Sequence, residues 1–402
     1  MLAQRLTKPI YILDALRTPI GSPFKSLKNL TAAQLAALVI KEIAERNSVD
    51  PSWISEVILG NTVAAGIGQN LARQAAFLAG LSGNIPAYTI NSVCGSGLQA
   101  VILSVQSILA GASQLNIAGG AESATHCPYL VAREEELDVD KPQYHSKDFK
   151  DSLFWDGLFC SMTGKSMGQL VEAMAHKYKI SRQDQDTYAL ESHHKAILAR
   201  QEGLLTKEIL PLRASEKKTI VFDDRPRPKL MMENLMNLSP AFDPQGTVTA
   251  GNASVPCDGA AAILIASPEA AEQYRLRPLA RIIGYAVVML TPERTFEADP
   301  PAIEACLKKC GLTVEDIDLL EIGEAFAAQC ILTRKALNIP CGKMNSLGGD
   351  IALGHPLGAA GARVLTTLVH SLQNRQLKTG LACICYGGGG AIAVIIQRIV
   401  NG

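Results

Sequence analysis

Two cysteines and one histidine stand beside glycines in settings where a reactive side chain could meet a substrate. Cys94 lies in "NSVCGSGLQA" (91–100), between an extended run, "AYTINSV", and the apolar-periodic "GLQAVILSVQSILAG". That places it at a strand-to-helix turn, where the free N–H groups and partial positive charge of a helix start favour thiolate over thiol. Gly95 and Gly97 would let a substrate approach the backbone. The plain alternative is an inert cysteine, since free cysteines are often buried. His355 lies in "NSLGGDIALGHPLGAAGARVL" (345–365), flanked by Gly354 and Pro356. A rigid turn can project such a side chain into a cleft, and imidazole suits general-base work near neutrality; a solvated loop histidine is the alternative. Cys385, in "CICYGGGGAIAVIIQ" (383–397), occupies between a strand and a glycine turn the kind of place that Cys94 occupies. One thiolate could carry an acyl group while the other moves a proton, as chemistry at a carbonyl and its α-carbon requires. The glycines from Gly387 to Gly390 expose N–H groups suited to an oxyanion, or simply make a tight turn.

The elements that must position these groups alternate between period 2 and period 3.6. "YILDA" is followed by "LTAAQLAALVIKEIAERN", then "EVILGN", then "LARQAAFLAGL". This predicts α/β layering around a largely buried sheet. "VDPSWISEVILGN" (49–61) and "LTVEDIDLLEIGE" (312–324) align without a gap, which predicts two similar halves. Between them, residues 123–253 differ: "AREEELDVDKPQYHSKDFKDS" and "EKKTIVFDDRPRPKL" are polar and charged, with helical patterns such as "SMGQLVEAMAHKY" among them. We read this stretch as an inserted, surface-covering subdomain.

Composition bounds the function classes. The chain has 402 residues, 48% hydrophobic and 19% charged, with 38 Lys and Arg against 38 Asp and Glu. A length of this order implies two or three domains, and the balanced charge gives no bulk attraction to nucleic acid or a membrane surface. The start lacks an apolar stretch suited to a signal peptide, so a cytoplasmic location is expected. The longest uncharged run, Thr379 to Ile396, reads as strand, turn and strand rather than a membrane span. Ten cysteines without a secretory signal imply reduced thiols. The pairs Cys306/Cys310 and Cys383/Cys385 lack matching pairs at zinc-site spacing, so no metal is expected.

With these residues in view, the sequence resembles the thiolase family over nearly its whole length. The resemblance is carried, in the family's order, by "AGIGQNLARQAA", "NSVCGSG", "AGGAES", "GTVTAGNASVPCDGAAA", "GEAF", "LGGDIALGHPLGAAGARVL" and "CYGGGGA". It implies a five-layered αβαβα core made of two related αβα halves, with an inserted loop domain. The halves would be 1–122 plus 254–277 and 278–402, and the loop domain 123–253 would bind CoA and make oligomer contacts. It implies acyl transfer between CoA thioesters, in fatty acid metabolism, by a homodimer or homotetramer without a cofactor. Cys94 matches the nucleophile, His355 the residue that activates it, and Cys385 the acid/base at the α-carbon of the second acyl-CoA. Backbone N–H groups of Cys94 and Gly387 match an oxyanion hole. Ala250, Ser254, Ala325 and Phe326 match positions along the pantetheine channel, and Met167 borders the acyl pocket.

The chain departs from the family pattern in three places. Gly323 stands where the family has an asparagine that holds a water for the second oxyanion hole, leaving Glu324 as a group that could orient that water. Loss of one such donor typically costs about 10²–10³ in rate. Ser166-Met167-Gly168 replaces His-Met-Gly, and "TFEADPP" (295–301) replaces Met-Gly-x-Gly-Pro. "RPRPK" (225–229) is a candidate for the phosphate end of CoA. The expected reaction is thiolysis of a 3-ketoacyl-CoA or the reverse Claisen condensation, by a ping-pong route. The alternative is a thiolase-like acyl-CoA-binding protein impaired by Gly323. A decarboxylating condensing enzyme fits less well, because such relatives use His or Asn where this chain has Cys385.

Overall fold

The computed structural model describes residues 1–132, 149–215 and 218–400. Its centre is a nine-stranded sheet built from β1 (Leu2–Arg17), β2 (Glu56–Gly60), β3 (Ala87–Ile90), β4 (Leu115–Glu122), β5 (Gly259–Ala266), β6 (Ala280–Met289), β7 (Leu319–Ile322), β8 (Thr379–Tyr386) and β9 (Gly390–Arg398). The order is β7-β8-β9-β6-β1-β5-β4-β2-β3. Strand β1 joins the two halves: it pairs with β5 through Tyr11 to Arg17, and with β6 through Leu2 to Arg5 and Ile10 to Ile12.

Alternation along single strands shows how the layers form. On β5, Ala260, Ala262 and Leu264 face α1 (Ala32–Arg46) and α2 (Leu71–Leu78), where Leu35, Ile40 and Ile43 pack. Ala261, Ile263 and Ile265 face the opposite way, onto α3 (Ser96–Leu109) and α9 (Ala360–Asn374; the intervening helices are placed below). On β8, Ala382 and Ile384 meet that same central layer. Leu381, Cys383 and Cys385 instead meet α6 (Asp299–Cys310) and α7 (Ala327–Ala336). The result is α1 and α2, a half-sheet, α3 and α9, a second half-sheet, then α6 and α7. These are the five αβαβα layers expected. Sheets covered on both faces read as continuous apolar runs, which is why β4 and β5 are buried at every position.

The two similar stretches occupy comparable places. The first leads into β2, which is parallel to β3 and β4; the second leads into β7, which is parallel to β8. Between β4 and β5 runs the insertion, with α4 (Met167–Lys177) and α5 (Arg182–Gln201). Both helices start at a serine in a reciprocal capping box, Ser166 with Gln169 and Ser181 with Asp184. Most of "AREEELDVDKPQYHSKDFKDS" lies outside the described residues. The uncharged run near the end is a hairpin of β8 and β9. Among the described residues no helix is long and apolar enough to cross a membrane.

Close backbone approach explains one glycine pair. A Cβ on Gly120 would stand 2.0 Å from the carbonyl oxygen of Gly358, so the turn after His355 can pack on β4 only because no side chain intervenes.

Candidate active site

Cys94 sits between β3 and α3, and the turn that presents it is strained. Val93 has φ 49°, a left-handed conformation that costs a β-branched residue about 1–3 kcal/mol. A local network sustains it. The Val93 N–H donates to Asn91 Oδ1 at 2.9 Å, and the Val93 carbonyl accepts from Ser96 Oγ at 2.6 Å and Thr62 Oγ1 at 3.1 Å. The thiol is thereby held just ahead of the first turn of α3.

His355 follows α8 (Asp350–Leu353), beyond Gly354 at φ 108°. Its backbone is clamped by the strand-like segment before β5: His355 N–H donates to the Val255 carbonyl at 2.9 Å, and Cys257 N–H donates to the His355 carbonyl at 3.1 Å. The same segment ties Ser254 N–H to the Ala325 carbonyl at 2.9 Å. One stretch of chain thus positions the histidine loop and the "GEAF" loop together.

The His355 ring is buried, with Nδ1 3.3 Å from Asp350 Oδ2 and the Cys94 thiol close by in the same cavity. Neither ring nitrogen closes a well-aligned hydrogen bond, so the ring is governed mainly by the charges around it. Burial opposes the imidazolium, but the electrostatic influence of Cys94 and of Asp350 outweighs it and raises the histidine to about 10. Asp350 is fully buried. Burial would raise its carboxyl, yet the cations Arg363 and His355 hold it below the usual range. Arg363 Nη2 donates to Asp350 Oδ1 at 2.8 Å, and Glu324 N–H donates to Oδ2 at 3.1 Å.

Cys385 closes β8 and is 2% exposed. Burial pushes its thiol well above the ordinary cysteine value, and the nearby Asp299 carboxylate adds to the shift. Its place is not that of Cys94 after all: Cys385 is within a strand that turns back as a hairpin, whereas Cys94 precedes a helix.

Cys94, His355 and Cys385 line one apolar cavity of about 130 Å³, together with Met167, Ser254, Ala325, Phe326 and Gly387. Phe326 is fixed by edge-on contacts with Phe242 and Phe296, at ring-centre distances of 6.3 and 5.0 Å.

Three of the residues singled out in the sequence stand elsewhere. Ala250 is exposed, outside the cavity wall. Gly323 is buried behind Ile384: a Cβ there would lie 2.8 Å from Ile384 Cγ1, so the space that an asparagine side chain needs is filled. Glu324 is buried and does not line the cavity. Its carboxylate is spent on Tyr188 Oη at 2.9 Å, Ser192 Oγ at 2.8 Å and Asn345 Nδ2 at 2.9 Å. In "RPRPK", Arg227 and Lys229 are exposed, while Arg225 is half-buried against Gly354 and Cys257.

Two carboxylates at the site were missed in the sequence, Asp350 and Glu122. Each is an acidic residue set among the glycines of a quoted motif, "LGGDIALGHP" and "AGGAES". That contrast of charge with small apolar neighbours was the available signal.

With this geometry in place, comparison with known proteins is specific. Residues 10–269 match the family described as thiolase, N-terminal domain, and residues 276–398 match thiolase, C-terminal domain. The chain is 44% identical over 398 residues to an acetyl-CoA acetyltransferase of Escherichia coli, covering 98% of this chain and 100% of that protein. The solved structure of human mitochondrial 3-ketoacyl-CoA thiolase in complex with CoA superposes with a TM-score of 0.93 at 37% identity, covering 99% of this chain and 100% of that one. The Acat5 thiolase of Ascaris suum in complex with coenzyme A gives 0.90 at 37% identity, covering 98% and 100%.

Proposed function

The chain belongs to the thiolase family and is an acyltransferase, and from that premise we propose that it cleaves short-chain 3-ketoacyl-CoA with CoA, and runs the reverse condensation, through an S-acyl-Cys94 intermediate. The observation that carries this reading is the convergence of Cys94, His355 and Cys385 on one small apolar cavity.

In thiolysis the Cys94 thiol gives its proton to His355 and its sulfur adds to the 3-keto carbon, the oxyanion being received by the N–H groups of Cys94 and Gly387. The bond between C2 and C3 then breaks. Its electron pair leaves as the enolate of acetyl-CoA, which takes a proton from Cys385, a group that burial keeps as a thiol. CoA next attacks the acyl-Cys94 carbonyl, its proton passing to the Cys385 thiolate; the bond to the Cys94 sulfur breaks, that sulfur regains its proton from His355, and acyl-CoA departs. Condensation is the same path reversed. A cavity of about 130 Å³ beside the sulfur suits an acetyl or other short acyl group. Burial of the enzyme's edge strand in a homo-oligomer would cover Tyr88, Phe77 and Leu78, which are exposed at β3 and α2.

The test is CoA-dependent cleavage of acetoacetyl-CoA beside a medium-chain and a long-chain 3-ketoacyl-CoA, with Cys94→Ala as control. Fastest cleavage of acetoacetyl-CoA, absent in the control, is expected. A folded protein that binds CoA but cleaves none of them would instead be an acyl-CoA-binding relative.

A further inference from the structure

Among the buried charged groups, one stands in direct line with the proposed nucleophile and its base. Asp350 begins α8 five residues before His355, so the helix and the Gly354 turn bring its carboxylate back to the imidazole, with Oδ2 3.3 Å from Nδ1. Its other oxygen is anchored by the buried Arg363 guanidinium at 2.8 Å.

We propose that Asp350 is a positioning residue for the acyl transfer: its carboxylate keeps the proton on His355 Nδ1, turns Nε2 toward Cys94, and balances the charge of the ring when Nε2 takes the Cys94 proton. This rests on the reading of Cys94 as nucleophile. A carboxylate against one ring nitrogen sets the tautomer of the other, and its charge favours the imidazolium that forms beside a thiolate. Arg363 and the Glu324 N–H hold Asp350 in place, so the ring is oriented by a group that cannot itself swing away.

Arg225, from the insertion, flanks Gly354; Cys257 and Asp258 come from the segment before β5. Glu324 stands beside Asp350, Cys330 of α7 is close by, and Glu321 of β7 faces Arg363. Burial pushes Glu321 up to about 8, so near neutrality it is mainly protonated and leaves Arg363 to Asp350. Among the described residues, the carboxylate within ion-pair distance of the His355 ring is that of Asp350.

The experiment follows alkylation of Cys94 by iodoacetamide against pH, read by mass spectrometry of the Cys94 peptide, in the full chain. Asp350→Asn keeps the shape and removes the charge. The expected result is an upward move of the alkylation midpoint by about one unit or more, and acyl-enzyme formation slowed roughly 10- to 100-fold, with Asp350→Glu recovering part of both. An unchanged midpoint in a folded Asp350→Asn protein would overturn the proposal, because a residue that only braces Arg363 would not alter thiol reactivity. If the single variant does not fold, Asp350→Asn with Arg363→Gln removes both buried charges and must give the same shift. The untouched protein supplies a further check by ¹⁵N NMR: at pH 8 the His355 ring should carry a proton on Nδ1, and a ring protonated at Nε2 alone would overturn the proposal. Failure of the thiolase reading looks different: the wild type would cleave no 3-ketoacyl-CoA, or Cys94→Ala would retain cleavage, whatever Asp350 does.

Discussion

The Glu122 carboxylate accepts the Gly358 N–H at 2.9 Å, bonding the end of β4 to the turn that follows His355. The same carboxylate accepts from Thr62 N–H and Asn61 Nδ2, each at 2.9 Å, and from Val63 N–H at 3.3 Å. Thr62 in turn donates to the Val93 carbonyl, one residue from Cys94. One buried side chain, pushed up to about 7 by its burial, therefore fixes the half that carries the nucleophile to the loop that carries the histidine.

Glu122→Gln is expected to turn an amide N–H₂ toward backbone donors and leave at least one unpaired. The cost should be about 1–3 kcal/mol in urea denaturation. A loosened His355 loop should also slow acyl-enzyme formation, with little change in CoA binding. Equal stability and equal rate in the variant would show that Glu122 does not join the halves.

Cys94 and Cys385 should separate in single-turnover experiments. Cys94→Ala is expected to give no acyl-enzyme by mass spectrometry after incubation with acetyl-CoA. Cys385→Ala should still acylate, while condensation falls roughly 10²–10⁴-fold, the usual worth of a positioned acid or base. Condensation at the wild-type rate in Cys385→Ala would assign the α-carbon proton to another group.

The layers, and the three residues that meet in the cavity, were legible in the sequence because local signals dictate them. The alternation of period 2 with period 3.6 from "YILDA" to "LARQAAFLAGL", and the glycines beside Cys94, His355 and Cys385, are all written within short stretches. What lay beyond reach depends on side chains distant in sequence. Gly323 read as the place where the family's water-holding asparagine is missing, whereas Ile384, on the neighbouring strand, packs against it. Glu324 read as a free carboxylate, whereas Tyr188 and Ser192 of α5 consume it. Pairings across the insertion carry no local pattern.

For that reason Gly323→Asn is not expected to speed condensation. Its Cβ would meet Ile384 Cγ1 at 2.8 Å and Cδ1 at 3.0 Å, and overpacking of this kind typically costs about 1–3 kcal/mol. Gly323→Ala should carry much of that penalty, and Gly323→Asn with Ile384→Ala should relieve it. Thermal denaturation of the three variants tests the order. A Gly323→Asn protein as stable as the wild type, and faster in condensation, would show that Ile384 yields easily.

The charge chain through His355 also predicts how stability varies with pH. Its ring is raised from an ordinary value of 6.5 in the unfolded chain to about 10 in the folded protein. Between these values the folded state holds a proton that the unfolded state has released, so stability must fall as pH rises. The contribution is complete below 6.5 and is lost as pH passes through about 10. His355→Asn removes the titrating ring. The difference in unfolding free energy between wild type and His355→Asn should therefore shrink from pH 6.5 toward pH 10, by an amount on the order of a few kcal/mol. Urea denaturation at several pH values measures it. A difference that stayed constant across this range would mean that the imidazole is neutral in the folded protein, and that Cys94 and Asp350 do not share its charge.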